Sequence, residues 1–276
     1  MRKFYTFLIR TVKFFQKFLI AAKNLGLLIA VKIFFFSNKN KINYIKSKNY
    51  PHNIYYRKNG DYGVLGHLYD TSYKINDNFS DDKIATILDL GANIGIETIK
   101  FKKFYPNAKI ISLEPEINNF AILKSNTEKY DNIFIENCAI SNKEMDAFIV
   151  NSSDPSASNY HESFHISDQT SDQKVKTTTI EKLIKKYDLK RINILKSDIE
   201  GYEKYLFDDS CQVWLSLVDI IIFECPDNDV VGVGVTQQIY HQVQKNKLNY
   251  KSYICGECLV LIKMNTKFNL DKVLYF

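Results

Sequence analysis

Residues 87–95, Ile87-Leu88-Asp89-Leu90-Gly91-Ala92-Asn93-Ile94-Gly95, limit what this chain can become more than any other stretch. A short apolar run breaks on a glycine and passes straight into helical spacing, which reads as buried strand, tight turn and helix. Gly91 and Gly95 allow backbone angles and close approaches that a Cβ would block. At the C-terminal edge of a parallel sheet such a turn presents backbone amides to a ligand. A dinucleotide fingerprint would have glycine where Asn93 stands and a longer final spacing, so a tightly held pyrophosphate is disfavoured. Asp89 beside the turn also opposes a pyrophosphate and suits a cationic ligand.

The rest of the chain supplies the sheet that this turn needs. Apolar strands are expected at 84–90, 109–114, 133–139, 192–198, 219–225, 251–255 and 258–263. Helices are expected at 94–104, 117–129, 180–187, 202–207 and 236–247. Strand and helix in turn imply a parallel sheet covered on both faces. Only Gly256 and Glu257 separate the last two strands, which predicts a tight hairpin and one antiparallel strand. The expected fold is therefore α/β, a Rossmann-like and mostly parallel sheet with an antiparallel C-terminal hairpin strand, typical of class I methyltransferases. An insertion over 145–179 is expected to hold two short strands, 147–151 and 175–178, around a polar loop.

Strand ends carry the candidate chemistry. Glu114 closes the second strand, where a carboxylate accepts both hydroxyls of a ribose. Asn137 closes the third and supplies an amide near an adenine. With Asp89, Gly91, Asn93 and Gly95 these residues form an ordered set for S-adenosyl-L-methionine, whose ammonium and sulfonium are both cationic. Lys196, Asp198 and Glu200 follow the fourth strand, with Glu203 after them, and Glu224 ends the fifth. Asp198 or Glu200 is the candidate base for deprotonating an alcohol, a contribution of about 10² to 10⁴ in rate. Lys196 shares a strand face with Asp198 and is expected to pair with it. Glu224 is a second base candidate or a binder of the acceptor hydroxyl. A divalent ion shared by Asp198 and Glu224 is the alternative, but no third ligand is evident and no metal is assigned.

Together, Asp89-Leu-Gly-Ala-Asn-Ile-Gly95, Glu114-Pro115, Asn137-Cys-Ala139 with Ser141, Thr177-Thr-Thr179 and Lys196-Ser-Asp-Ile-Glu-Gly-Tyr-Glu203 resemble the FkbM family of methyltransferases. Lys-x-Asp-x-Glu-Gly-x-Glu is that family's most distinctive string, and its fixed positions are all present. The resemblance runs from about residue 55 to 264. It implies O-methylation of hydroxyls, often on sugars of glycans, glycolipids or secondary metabolites, with S-adenosylmethionine as donor. It also implies cofactor roles for Asp89, Gly91, Asn93, Gly95, Glu114 and Asn137. Glu181 stands where the family more often has Asp, and the 151–172 loop lacks its usual Gly-Ser-Ser-Leu pattern.

Charge divides the chain further. Before Asp61 there are 13 Lys or Arg and no acid; from Asp61 onward 24 basic residues meet 31 acidic ones. Residues 3–36 are expected to form one amphipathic helix with aromatic residues on its apolar face, lying on an anionic membrane surface; a helix packed on the enzyme body or another subunit, or one spanning the membrane, is the alternative. Residues 37–53 are expected to be a polar linker, giving an arm over 1–53 and an enzyme domain over 54–276. An acidic body disfavours nucleic acid as a partner. Five scattered cysteines argue for a reducing compartment, and Cys255-Gly-Glu-Cys258 reads as a hairpin over a zinc or redox motif. His161 and His165 are expected in a solvated loop, with a lid as the alternative. The leading expectation is a sugar or glycolipid O-methyltransferase, cytoplasmic and peripheral at the inner membrane face. A nucleic-acid methyltransferase and a non-catalytic membrane-associated scaffold are the alternatives.

Overall fold

The structure, a computed structural model, describes residues 12, 14–15, 18–19, 21–23, 25–38, 41–58, 61–71, 73–76, 83–151, 164–167, 173–224, 233–256 and 258–270. The chain divides into two compact units, one within Met1–Asp70 and one spanning Thr71–Asp154 and Ser163–Phe276.

In the first unit the continuous helix expected over 3–36 is broken. Gly26 has φ +92°, and the chain restarts as α1 (Leu27–Val31) before widening into a π-helical turn, Lys32–Phe36. Residues 37–53 are more than a linker: β1 (Asn43–Ile45) pairs antiparallel with β2 (Ile54–Tyr56). Burial of Ile45, Tyr50, Ile54 and Tyr56 drives this, an apolar pattern masked by the surrounding Asn and Lys. The Tyr56 and Ser37 hydroxyls hydrogen-bond at 2.5 Å, and Tyr50 donates to the Leu68 carbonyl at 2.7 Å. Arg57 closes onto buried Asp61 with its guanidinium at 2.9 Å, just before α2 (Tyr62–Gly66).

The second unit opens with β3 (Ile75–Asn76), β4 (Thr86–Leu90), α3 (Ile96–Phe104), β5 (Lys109–Leu113), α4 (Ile117–Thr127) and β6 (Ile133–Glu136). There follow β7 (Ala139–Ile140), β8 (Asp146–Asn151), β9 (Phe164–Ser167), β10 (Gln173–Thr178), α5 (Ile180–Tyr187) and β11 (Ile192–Ser197). The chain continues through α6 (Glu203–Leu206), α7 (Gln212–Leu215), β12 (Val218–Glu224), α8 (Val235–Lys245), β13 (Tyr250–Cys255), β14 (Cys258–Lys263) and β15 (Asn269–Leu270). Among the described residues seven strands form one sheet in the order β6-β5-β4-β11-β12-β14-β13. The pairs from β6 to β12 are parallel, and β14 lies antiparallel to both β12 and β13. This is the expected class I methyltransferase sheet.

Alternation along each strand feeds two cores, one per face. Leu88, Leu195, Ile221 and Leu261 face Trp214, α5 and α8. Ile87, Ile194, Ile220 and Ile262 face Phe101 and Tyr105 of the α3 layer. The third strand, expected over 133–139, stops at Glu136, and Ala139–Ile140 leave the sheet to pair parallel with β10. The insertion brings β8 antiparallel to both β10 and β9, so His165 lies on a strand instead of a loop, and His161 falls outside the described residues.

A buried ionic cluster fixes the first turns of α3. Lys100, with 0% exposure, donates to Glu97 at 2.8 Å and to the Tyr73 hydroxyl, which in turn donates to Glu97. Breaking a buried pair leaves an uncompensated charge, so Glu97→Ala is expected to cost about 3–5 kcal/mol. Adding Lys100→Met should recover most of that loss. Urea unfolding of the single and double variants checks it; equal stability of the two would show the pair is unimportant.

Candidate functional site

Strand order reverses between β4 and β11, and in open α/β sheets this reversal marks the ligand crevice at the C-terminal edge. The turn after β4 is pinned to its neighbour: Gly91 and Ala92 donate backbone N–H bonds to the Leu113 carbonyl at 3.1 and 2.8 Å. Gly91 has φ +76°, and a Cβ there would lie 1.9 Å from the Asp198 carbonyl oxygen. Only glycine lets the ends of β4 and β11 come this close. Gly95, at φ +86°, caps α3, and a Cβ would lie 2.7 Å from Leu123 Cδ1 in α4. Asn93, between them, also has a left-handed φ of +50°.

Lys196 ties this turn to the fourth strand end. Its Nζ donates to the Gly91 carbonyl at 3.2 Å and to Asp198 Oδ2 at 3.2 Å, and stands 3.6 Å from Asp89 Oδ1. Burial alone would pull the ammonium down. The carboxylates of Asp198, Asp89 and Glu97 outweigh it and hold Lys196 above the usual lysine range. Asp89 has no exposed surface and accepts from Thr98 Oγ1 at 2.6 Å through Oδ2, while Oδ1 has no hydrogen-bond partner. Burial pushes the Asp89 carboxyl up, with Lys196 and Thr98 pulling against it. Asp198 is the outward member, with a side chain 37% exposed. The expected ion pair with Lys196 thus exists, and it reaches Asp89 as well.

Glu114 lies just beyond β5 and is buried. Oε2 accepts the Asn93 N–H and Oε1 the Glu116 N–H, both at 2.8 Å. Oε1 also accepts from Asn119 Nδ2 at 3.5 Å, so Oε2 is the oxygen that retains a lone pair for a hydroxyl donor. Burial raises the Glu114 carboxyl to about 7 against these stabilising bonds. Asn137 is exposed, and its amide donates to the Glu114 and Pro115 carbonyls at 2.9 and 3.1 Å. It fixes the strand corner on which Glu114 sits. Glu116 caps α4 by accepting from the Asn118 and Asn119 N–H groups.

Glu200 sits in the turn after β11 at φ +56°, a conformation that costs a non-glycine residue about 1–2 kcal/mol. Glu203 is buried in the turn's floor, accepting from the Ile199 N–H at 3.0 Å and from Ser197 Oγ at 3.2 Å. It holds the turn shut and is a structural acid. Glu224 ends β12 in register with Cys258 of β14. Burial, then the charges of Asp198 and Glu224, push the Cys258 thiol up to about 12, with Lys196 opposing. Among the described residues no three His, Cys, Asp or Glu side chains converge as a metal site. Sequence reasoning missed Thr98, Glu97, Lys100 and Tyr73: Glu97 and Lys100 pair at i,i+3 on one helix, but their contacts to Tyr73 and that of Thr98 to Asp89 join separate elements. The one local signal was a polar run inside an otherwise apolar helix face.

A family model described as the methyltransferase FkbM domain matches residues 89–247. No curated protein matches the chain. Among solved structures, methyltransferase FkbM from Methylobacillus flagellatus KT is similar at 12% identity and TM-score 0.41, over 64% of this chain and 43% of that one. Aeropyrum pernix fibrillarin, with natively bound S-adenosyl-L-methionine, aligns over 84% of this chain and 86% of that one at 10% identity and TM-score 0.39. A Bacillus cereus O-methyltransferase in complex with SAH aligns over 64% and 74% at 11% identity and TM-score 0.38. The chain spans 43% of the length of the first of these.

The raised Glu114 carboxyl makes stability depend on pH. Between its ordinary 4.5 and about 7 the folded state binds this proton more tightly than the unfolded chain does, so stability falls as pH rises through that window. Glu114→Gln removes the titration. The stability of the variant relative to the parent should therefore rise by roughly 3 kcal/mol from pH 4 to pH 8. Denaturant melts at both pH values check this; a constant difference would mean that Glu114 titrates normally.

Proposed function

The chain belongs to the FkbM methyltransferase domain family, and from that premise we propose that it transfers methyl groups from S-adenosylmethionine to a hydroxyl of a sugar, glycan or glycolipid. The observation that carries the reading is Lys196 bridging the cofactor-side acid Asp89 and the outward acid Asp198. The residues present fit a cationic adenosyl ligand. Asp89 Oδ1 is a buried acceptor without a hydrogen-bond partner, 3.6 Å from the Lys196 ammonium, and Glu114 Oε2 retains a lone pair for a ribose hydroxyl. Asn93 and Asn137 shape the cradle by holding Glu114 in place. S-adenosylmethionine, when bound, supplies an electrophilic methyl group on a sulfonium.

The acceptor chemistry falls to the strand ends. Asp198 takes the proton of the attacking hydroxyl, oriented by the Lys196 ammonium. Glu224 and Glu200 bind neighbouring hydroxyls, as suits a polyhydroxylated acceptor. Asp198→Asn should leave affinity for S-adenosylhomocysteine within a few-fold and lower turnover by about 10² or more. Calorimetry and a 14-dalton mass-shift assay on cell glycans check the two halves. Normal turnover in Asp198→Asn with none in Glu224→Gln would reverse the roles.

Residues 1–36 place the enzyme at the anionic, cytoplasmic face of a membrane. Support comes from 13 basic residues without an acid before Asp61, and from Leu28 at 86% and Phe36 at 78% exposure in the first unit. Among the described residues no helix is long and apolar enough to cross a membrane. Each basic side chain near an anionic surface contributes about 1 kcal/mol, and buried apolar groups add a term that salt does not screen. The full chain should float with phosphatidylglycerol vesicles and be released by alkaline carbonate. Leu28→Asp with Phe36→Asp should abolish flotation. Flotation equal to the parent in that variant, or none in the parent, would remove this arm as the anchor.

A further inference from the structure

The candidate site occupies the C-terminal edge of the sheet. At the opposite edge, the starts of β4, β5 and β11 border a cleft of about 550 Å³. Among the described residues its charged wall is Lys83, Lys109, Lys190 and Arg191, with the carboxylate of Asp188. Behind the wall, Asp219 is nearly buried and accepts from Arg191 Nε at 2.7 Å and from Asn193 Nδ2 at 2.9 Å. Counting Asp219, the described residues of the cleft carry two more cations than anions. The chain around it is the reverse, with 24 basic and 31 acidic residues from Asp61 onward. A cation-lined cleft in an acidic domain is a local concentration of charge that overall composition does not explain.

The cleft is also built, not only charged. Asn193, at 3% exposure, receives the Ala85 and Thr86 N–H groups at 2.9 and 3.0 Å and fixes its floor. Lys109 is anchored through one Nζ donor to the Tyr187 carbonyl at 3.2 Å. Lys190 pairs with Asp188 at 2.6 Å, but both side chains are over 80% exposed, and such pairs contribute little. A phosphate, with more charge and more acceptors than one carboxylate, competes well for that lysine. Arginine's planar fork suits the same ligand. The volume is that of a small-molecule site and exceeds what inorganic phosphate fills.

We propose that this cleft binds a phosphate-bearing small molecule, with a diphosphate group held by Lys83, Lys109, Lys190 and Arg191. It lies roughly 15 Å from the candidate methyl-transfer site, the length of a five-residue strand. Its ligand therefore does not compete with the cofactor.

Calorimetry on the full chain at low salt tests this with inorganic pyrophosphate, uridine diphosphate and uridine. Both diphosphates should bind, uridine should not, and affinity should fall as salt rises. Lys190→Glu, on an exposed side chain, and Lys109→Glu should each weaken pyrophosphate binding by about tenfold or more. Saturating S-adenosylhomocysteine should leave the pyrophosphate affinity within about twofold. No binding of either diphosphate, unchanged affinity in both charge reversals, or displacement by S-adenosylhomocysteine would each overturn the proposal. Binding of S-adenosylhomocysteine itself, read in the same cell, reports separately on the methyltransferase reading.

Discussion

Lys196 is a cation placed where a parallel sheet would ordinarily hold an aliphatic side chain. Taking an ammonium out of water costs several kcal/mol, and that cost is met only by fixed partners close by. Here they are Asp198, the Gly91 carbonyl and Asp89. Those groups come from two strands that touch because Gly91 has no Cβ to meet the Asp198 carbonyl. The glycine turn, the β4–β11 contact and the position of the outward carboxylate are thus one constraint.

A second buried cation extends this constraint into the α3 layer. Lys100 is held by Glu97 and Tyr73, and the Glu97 charge is felt at both Asp89 and Lys196. Three carboxylates and two ammonium groups leave this network one negative charge in excess. Its acceptor without a hydrogen-bond partner is Asp89 Oδ1, 3.6 Å from the Lys196 ammonium. A cationic ligand there completes the charge balance, whereas an anionic one would add to an existing excess. S-adenosylmethionine, the donor for the methyltransferase family, is such a cation.

The sheet was legible in the sequence because parallel strands buried on both faces are continuous apolar runs with sharp ends. Ile220–Phe223 is such a run, Ile192–Ser197 is buried along its length despite Asn193 and Lys196, and the two-residue Gly256-Glu257 link allowed little but a hairpin. Site acids were legible for the same reason, since Glu114, Asp198 and Glu224 each end a run. What escaped was whatever depended on a distant partner. The third strand stops at Glu136, and beyond it the Asn137 amide donates to the carbonyls of the Glu114-Pro115 corner. Lys100 pairs with a tyrosine 27 residues away, and Gly26 breaks a helix whose hydrophobic spacing runs straight through it. Periodicity reports which face is apolar; it does not report where a backbone turns left-handed.

Net charge, taken over the whole second unit, conceals an arrangement that matters to ligands. Asp89, Glu114, Asp198 and Glu224 collect at the C-terminal edge of the sheet, and Lys83, Lys109, Lys190 and Arg191 at the other. The two groups are joined by strands with zero or nearly zero exposure, whose packing leaves no route for a side chain to swing between edges. At physiological salt a separation longer than a Debye length of about 8 Å also screens the exposed charges of one edge from the other. Each edge can therefore hold its own sign of potential without cancelling its opposite. A cationic adenosyl donor is drawn to one edge and a phosphorylated molecule to the other, and both can be bound at once. Any coupling between them would have to pass through β4 and β11 themselves, where Asn193 grips the start of one strand and Lys196 joins the ends of both.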